Sequence, residues 1–460
     1  MLAGGPKPIA PFDKARPRPD VDRWMARPLD SVRRPPLKHR SSGRCPRRSD
    51  LGATVSAMSS AYHGRIPFAL AVVCACRAGA PPDGAIARDS AGIRIVSNPG
   101  RAQEANSGWV IEQKAAVVFG RDPSDSVTLL LNPVGAVRLS DGRVVVADRG
   151  ASSVKIFAAA GELTQTVGRE GDGPGEFRYI SRLRACHGDS AFVEDIVHRT
   201  LAVVAPTGLV ARTFALRTPE PGRPAFELAC NRSGDILTSG WGETTPTAQD
   251  PYRPIVPVAL AGPDGEVRVV LGQFPGTEMV PEFRGATARR MGRRLALAMG
   301  SQRAWVATGE TADLLGFDRR GSLREIVRTP ASTRAPTDRD VAWHRQLALD
   351  SARADGRLER VSQQLAVMTV PATLPSIVTL LVDSEDHLWV QRYPAAGESQ
   401  GPWVVYEPRG ILLGGISMPP GLSPVAIGRD YVLGLFTAED GSRWVQLHQL
   451  NRGERHPPGT

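Results

Sequence analysis

The chain has 460 residues, 41% apolar and 23% charged, with 47 Gly and 39 Pro, which excludes wholesale disorder and a polytopic membrane protein and calls for a large core cut by many turns. The formal charge of +10 invites a nucleic-acid partner, but residues 1–57 hold 13 Lys+Arg against five Asp, and only five lysines occur in the whole chain. The remainder is close to neutral and its basic residues are nearly all Arg, so no phosphate-binding stripe is left and nucleic acid is excluded as a partner.

Residues 1–57 are Arg/Pro-rich, with Pro17, Pro19, Pro35 and Pro36 among Arg33, Arg34, Arg47 and Arg48, and show neither helical nor strand periodicity. They are expected to be disordered, an upstream extension before a true start at Met58. Residues 58–75 have the grammar of an export signal. A polar stretch precedes the apolar run IPFALAVVCA at 66–75, ten residues, too short to cross a hydrocarbon core of about 30 Å as a helix. The run ends in Val73-Cys74-Ala75-Cys76, which resembles a bacterial lipobox, with an aliphatic residue three before and a small residue one before the lipidated Cys. Cys76 is the lipidation candidate, and the resemblance implies a membrane-anchored extracytoplasmic protein in the periplasm or at the cell surface. Residues 76–91, small, polar and Pro/Gly-containing, read as a tether.

From 92 to 453 the apolar runs are short and β-branched: GIRIV (92–96), VTLLL (127–131), RVVVAD (143–148) and SVKIF (153–157). They predict an all-β body. An apolar pair followed by a turn Gly recurs at Gly161, Gly208, Gly265, Gly321, Gly410 and Gly453, separated by 47, 57, 56, 89 and 43 residues. A second column of polar turns begins at Asp141, Gly188, Gly234, Gln302, Glu385 and Gly428, each followed by a strand. Every unit therefore reads as a four-stranded antiparallel meander, and six such sheets bury both faces only when packed radially, as a six-bladed β-propeller. The last unit supplies three strands, so 115–120 or 127–131 is expected to donate the fourth. Between blades, 337–354 and 356–368 predict two helical pieces, the first capped by Thr337 or Asp338. Residues 454–460 form a tail.

The stretch LNPVGAVRLSDGRVVVADRGASSVKIFAAAGELTQTVGREGDGPGEF (131–177) resembles the NHL-type six-bladed β-propeller repeat, closest to bacterial secreted or lipoprotein propellers. The resemblance implies that the first strand of each blade lines a central channel and that ligands sit over one face. It also admits a metal-dependent propeller lyase or lactonase as the alternative function, the only case that would call for Ca²⁺ or Zn²⁺; otherwise no cofactor is expected.

No phosphate loop, zinc-protease motif or Cys-x-x-Cys pair is present. The Gly-rich 168–177 lacks a following helix and reads as a blade connector. Recognition on a rigid scaffold is normally built on its longer loops, which makes Asp148, Arg149, Glu176, Phe177, Asp195, His198, Trp241 and Arg392 the ligand-binding candidates, for an unknown ligand or envelope protein. Each also has a plain role as a turn cap or solvated rim. No metal ligand set is assigned, no catalytic residue is named, and a monomer is expected. Cys186 and Cys230 end the first strands of consecutive units, near enough for a disulfide or for two buried free thiols. Peptide mapping of the native protein is expected to find nothing from residues 7–48 and an N-terminus at Cys76; peptides from 7–48 would show that the upstream segment is made.

Overall fold

The computed structural model describes residues 84–99, 106–218, 228–240, 251–282, 285–329, 333–354, 357–398 and 400–453. The upstream segment, the signal, the first half of the tether, Trp241 and the tail lie outside them. The described chain is a six-bladed β-propeller of four-stranded antiparallel blades.

Blade 1 comprises Pro133–Arg138, Val144–Asp148, Ser153–Phe157 and Leu163–Val167, and blade 2 Ile180–Cys186, Ser190–Asp195, Thr200–Val204 and Val210–Ala215. Blade 3 comprises Leu228–Cys230, Ile236–Ser239, Ile255–Ala261 and Val267–Pro275, and blade 4 Ala296–Met299, Ala304–Ala307, Leu314–Phe317 and Leu323–Arg328. Blade 5 comprises Thr379–Val382, Leu388–Gln391, Trp403–Tyr406 and Leu412–Ile416. Blade 6 takes three strands from the C-terminal end, Leu422–Ile427, Tyr431–Thr437 and Arg443–Arg452, and its fourth, Val117–Phe119, from the N-terminal side.

The middle strands are almost wholly buried; Val144–Asp148 and Ser153–Phe157 expose no residue. β-Branched and aromatic side chains on both faces pack against the neighbouring blades, and that packing holds a propeller together. The five turn glycines from Gly161 to Gly410 all adopt positive φ, from 78° to 109°, the backbone that closes each outer hairpin and that a side chain would strain. Trp305, Trp389, Trp403 and Trp444 are core residues.

Ring closure is non-local. Val117, Val118 and Phe119 pair antiparallel with Leu447, Gln446 and Val445, and the fully buried Phe119 ring meets Phe157 of blade 1 at 5.6 Å. Trp109–Ile111 pairs with the far end of the same C-terminal strand. Of the two candidate closing segments, 115–120 makes the clasp and 127–131 is not a strand. The reason lies in two side chains of blade 1: Lys155 Nζ donates to the carbonyls of Val127 and Leu129, both at 2.7 Å, and Asp148 accepts the amide of Leu131. Side chains take the backbone groups that a strand partner would otherwise bind.

The strand at 92–96 also forms, as Ile93–Ser97, but it belongs to blade 4, parallel to Leu323–Arg328, with Ile86–Ser90 antiparallel outside it. Asn98 then bridges blades 4 and 5, donating to Gly410 O (3.0 Å) and accepting from Leu412 N (2.8 Å).

Helices α1 (Asp338–Ala354) and α2 (Leu358–Ala366) fill the connector between blades 4 and 5. Thr337 is the cap: its hydroxyl accepts the Asp340 amide (3.2 Å), while Asp340 accepts the Thr337 amide (2.8 Å) and the Arg334 guanidinium (2.6 and 2.8 Å). Arg334, with the Thr337 groups, holds the Asp340 carboxyl well below the usual carboxylate range. This tie is therefore intact at neutral pH and is lost only as acid titrates the carboxylate.

Cys186 and Cys230 stand 5.4 Å apart at Cα and are joined as a disulfide across blades 2 and 3. Linking positions 44 residues apart removes chain entropy from the unfolded state worth about 4 kcal/mol. Phe119→Ala, which empties the clasp, is expected to lower stability by about 3–5 kcal/mol in chemical denaturation. A loss below about 1 kcal/mol would show that the ring closes elsewhere.

Candidate functional site

Inner strands run from the connector face to the face of short turns, so each blade places its second-to-third strand loop on the connector face. Asp148 and Asp195 end the second strands of blades 1 and 2 and are both buried. Asp148 accepts the amides of Leu131 (2.9 Å), Asn132 (2.8 Å) and Gly150 (3.0 Å). Asp195 accepts those of Arg178 (2.7 Å), Val197 (3.0 Å) and His198 (3.2 Å). In both blades one carboxylate pins the incoming connector and caps its own loop, satisfying amides that burial would leave orphaned.

The other candidates on this face are engaged in the same way. Arg149 donates to Ile180 O (2.7 Å) in the next blade and lies 4.6 Å over the Tyr179 ring. Burial, with Arg443 and Arg182 nearby, draws its guanidinium below its usual range. Glu176 accepts the Gly173 amide (2.9 Å) and pairs with Arg169 (2.7 Å), closing the Gly-rich connector on itself. Phe177 is 2% exposed, a core residue between blades 1 and 2. His198 sits between two carboxylates, Nδ1 at 3.0 Å from Asp195 and Nε2 at 3.0 Å from Asp172. Arg178 and His198 hold the Asp172 carboxyl well below its usual range. A general base needs a ring nitrogen open to substrate, and here both are occupied. Arg392 opens the blade 5 loop, its amide on Pro402 O (3.0 Å) and its side chain beside the buried Tyr406. Asp195, His198, Arg149 and Tyr179 are thus brought together at the junction of blades 1 and 2, whereas Arg392 stands apart on blade 5.

A concave site among the described residues lies on the axis. A cavity of about 470 Å³ is walled by the inner strands of all six blades, through Val137, Leu183, Ala229, Leu297, Leu380 and Ala426. It reaches the short turns at Asn231, Arg232, Ser301 and Ser384, while at the connector end only Arg294 and Val378 flank it. None of the seven described loop candidates lines it. Its volume suits a small organic ligand.

The mouth is held open by a ring of contacts from blade to blade. Ser140 N donates to Asp189 Oδ1 (2.8 Å), His187 N to Asn231 O (3.2 Å), and Asn231 Nδ2 to Gly300 O (3.0 Å). Ser301 N donates to Asp386 Oδ1 (2.7 Å) and Ser384 N to Ile427 O (3.1 Å). Arg138 of blade 1 completes the circuit, 4.6 Å over the Tyr431 ring of blade 6. Loop reasoning alone passed over this site. The available signal was Arg138 and Arg184 inside inner strands, where a packed core would hold apolar residues.

Among the described residues no three His, Cys, Asp or Glu side chains gather as a metal-ligand set. The carboxylates near the axis are bound by protein donors, so the residues present do not fit the Ca²⁺ or Zn²⁺ of a propeller lyase or lactonase.

The family DUF5128, described as a 6-bladed beta-propeller, matches residues 125–184, from the connector into blade 1 to the inner strand of blade 2. No curated protein matches the chain in sequence. Among solved structures, a protein of Bacteroides fragilis described as exported aligns at 12% identity and TM-score 0.44, over 78% of this chain and 100% of its own. A DUF4221 member from Bacteroides vulgatus aligns at 10% and 0.44, over 76% and 99%. The virginiamycin B lyase of Staphylococcus aureus aligns at 10% and 0.35, over 69% and 94%. At this distance no activity transfers to this chain.

Asp195→Ala is expected to lower stability by about 1–3 kcal/mol by orphaning buried amides, while His198→Ala, on the rim, changes it by less than about 1 kcal/mol. Denaturation curves showing a smaller effect for Asp195→Ala than for His198→Ala would remove the structural role from Asp195.

Proposed function

We propose that the chain is an exported, lipid-anchored binding module of the cell envelope that takes a small ligand in its axial cavity. The observation that carries this is the cavity itself, a concave site framed by turns that are bonded to one another, while the polar loop residues are committed to the fold. Binding energy is gained most readily where the protein need not reorganise.

Export rests on the apolar run at 66–75 followed by Cys76, and the Cys186–Cys230 bridge suits an oxidising compartment. No helix among the described residues is long and apolar enough to cross a membrane, so the proposed attachment is the lipid on Cys76. Strand register gives this anchor a direction. Ile86 pairs with Ser97, and Ser97 with Arg328, the last residue of blade 4 before the helical insertion. The chain toward Cys76 thus leaves from the connector face, and the nine residues 77–85 reach at most about 30 Å. The helix-bearing face would lie toward the membrane, with the cavity mouth turned away from it. Ring closure within one chain makes a monomer sufficient.

In a bacterial host the full-length chain is expected in the membrane fraction and Cys76→Ser in the soluble fraction. Native mass spectrometry is expected to find a small-molecule adduct on the purified chain that Ala426→Trp, which obstructs the cavity, no longer carries. A soluble wild-type chain would overturn the anchor, and an adduct that survives Ala426→Trp would overturn the site.

A further inference from the structure

We propose that the end of the helical insertion, residues 366–370, is a membrane-contact surface that rests in the lipid interface beside the acyl chains on Cys76. This rests on the lipid anchor proposed above and goes beyond it, because it assigns a second, noncovalent contact with the same membrane.

The insertion has a small core of its own and leaves an apolar segment outside it. Val361 and Leu365 of α2 are buried with Ala352 of α1, and Ala348, Leu349 and Met368 pack around them, so the apolar stripe of the helix pair is already used. Just beyond α2, Val367 is 79% exposed, more than any other large apolar side chain among the described residues, and Val370 is 42% exposed. Ala366 and Thr369 are exposed with them. Being neighbours in the chain, these four residues form one patch. No Asp, Glu, Lys, Arg or His occurs anywhere in 361–382, in a chain of which 23% is charged, so burying the patch desolvates no ionised side chain of its own segment.

The patch is carried on a pinned backbone. Arg289 Nη2 donates to Thr369 O (3.4 Å) and Arg293 Nη2 to the Thr373 hydroxyl, tying the segment to the connector between blades 3 and 4. Leu374 N donates to Arg334 O (2.9 Å), at the start of the insertion. The polar groups of the segment are thus taken up by the protein, while the two valines are left in water.

Where the described chain begins decides what covers them. Ile86 opens the outermost strand of blade 4 at its connector-face end, and the insertion departs from that face of the same blade after Arg328. Residues 77–85 reach at most about 30 Å, so a lipid on Cys76 holds the bilayer within that distance of the face on which the insertion stands. Ile86, at the root of the tether, is itself 67% exposed. The bilayer is therefore the surface that the chain itself brings to the patch. Uncharged apolar side chains at the boundary between headgroups and acyl chains gain by leaving water.

The full-length chain, lipidated in a bacterial host and reconstituted into vesicles of phosphatidylethanolamine and phosphatidylglycerol, tests this. With Cys76 acylated and Cys186 bridged to Cys230, Val367→Cys supplies the only free thiol of the mature chain and takes a polarity-sensitive nitrobenzoxadiazole label. That label is expected to lose at least about half of its emission to lipids carrying a nitroxide near the headgroup end of the acyl chain. The quenching is expected to persist at high salt, because the contact is apolar. A label at Glu162→Cys, exposed in the outer hairpin of blade 1 on the opposite face, is expected to stay unquenched. A label at Ala366→Cys is expected to be quenched, and to lose that quenching when Val367→Asp and Val370→Asp are added. A vesicle-bound chain quenched no more at 367 than at 162, or still quenched at 366 with both Asp substitutions, would overturn the contact and leave the anchor standing. A chain that does not partition into the vesicles would overturn the anchor, and the contact with it.

Discussion

A ring of sheets is stable only if its last blade finds a fourth strand, and in this chain that requirement is met by three residues, Val117–Phe119, pairing with Val445, Gln446 and Leu447. The contact joins segments more than 300 residues apart in sequence, so nearly the whole chain must be in place before it forms. Its entropic cost falls late in folding, and its reward is the removal of an open edge. The burial of Phe119 against Phe157 makes the clasp part of the core of blade 1 as well as of blade 6.

Once the ring is closed, polar side chains register one blade to the next, and they do so differently at its two ends. On the connector face, buried carboxylates such as Asp148 and Asp195 take up amides of the incoming chain. On the opposite face, turn backbones and short side chains bond sideways, Ser140 to Asp189 and Ser301 to Asp386. The first device uses up the acids and His198 of the long loops. The second surrounds the axis with bonds that point along the rim and leaves the channel open between them. A polar residue in a loop is therefore a weak indicator of ligand contact here, because the fold itself has prior use for it.

The same division bears on chemistry. His198 has a carboxylate on each ring nitrogen, so both of the atoms a catalytic base would use are engaged within the protein. The arginines of the axis have the opposite character: they occupy positions where a packed channel would carry apolar side chains, and Arg138 is stacked on an aromatic ring. Guanidinium groups stay charged across the physiological range and are poor general acids or bases.

Much of the architecture was legible from residue order alone. The turn glycines and polar 1–2 turns mark the meanders because only certain residues accept the backbone that a tight turn imposes, and Thr337 marks the start of α1 because helix amides need a local acceptor. These are short-range constraints, written into neighbouring positions. Three outcomes were not of that kind. The segment at 127–131 has strand composition and is not a strand, since Lys155 and Asp148 claim its backbone; Ile93–Ser97 forms a strand and adds to the outer edge of blade 4; and the inner strands wall one cavity only because six blades converge there. Composition and turn chemistry determined which elements form and how many. Which strand pairs with which edge, and which side chains face the same cavity, were decided by long-range packing, because those contacts have no energy until distant parts of the chain are brought together.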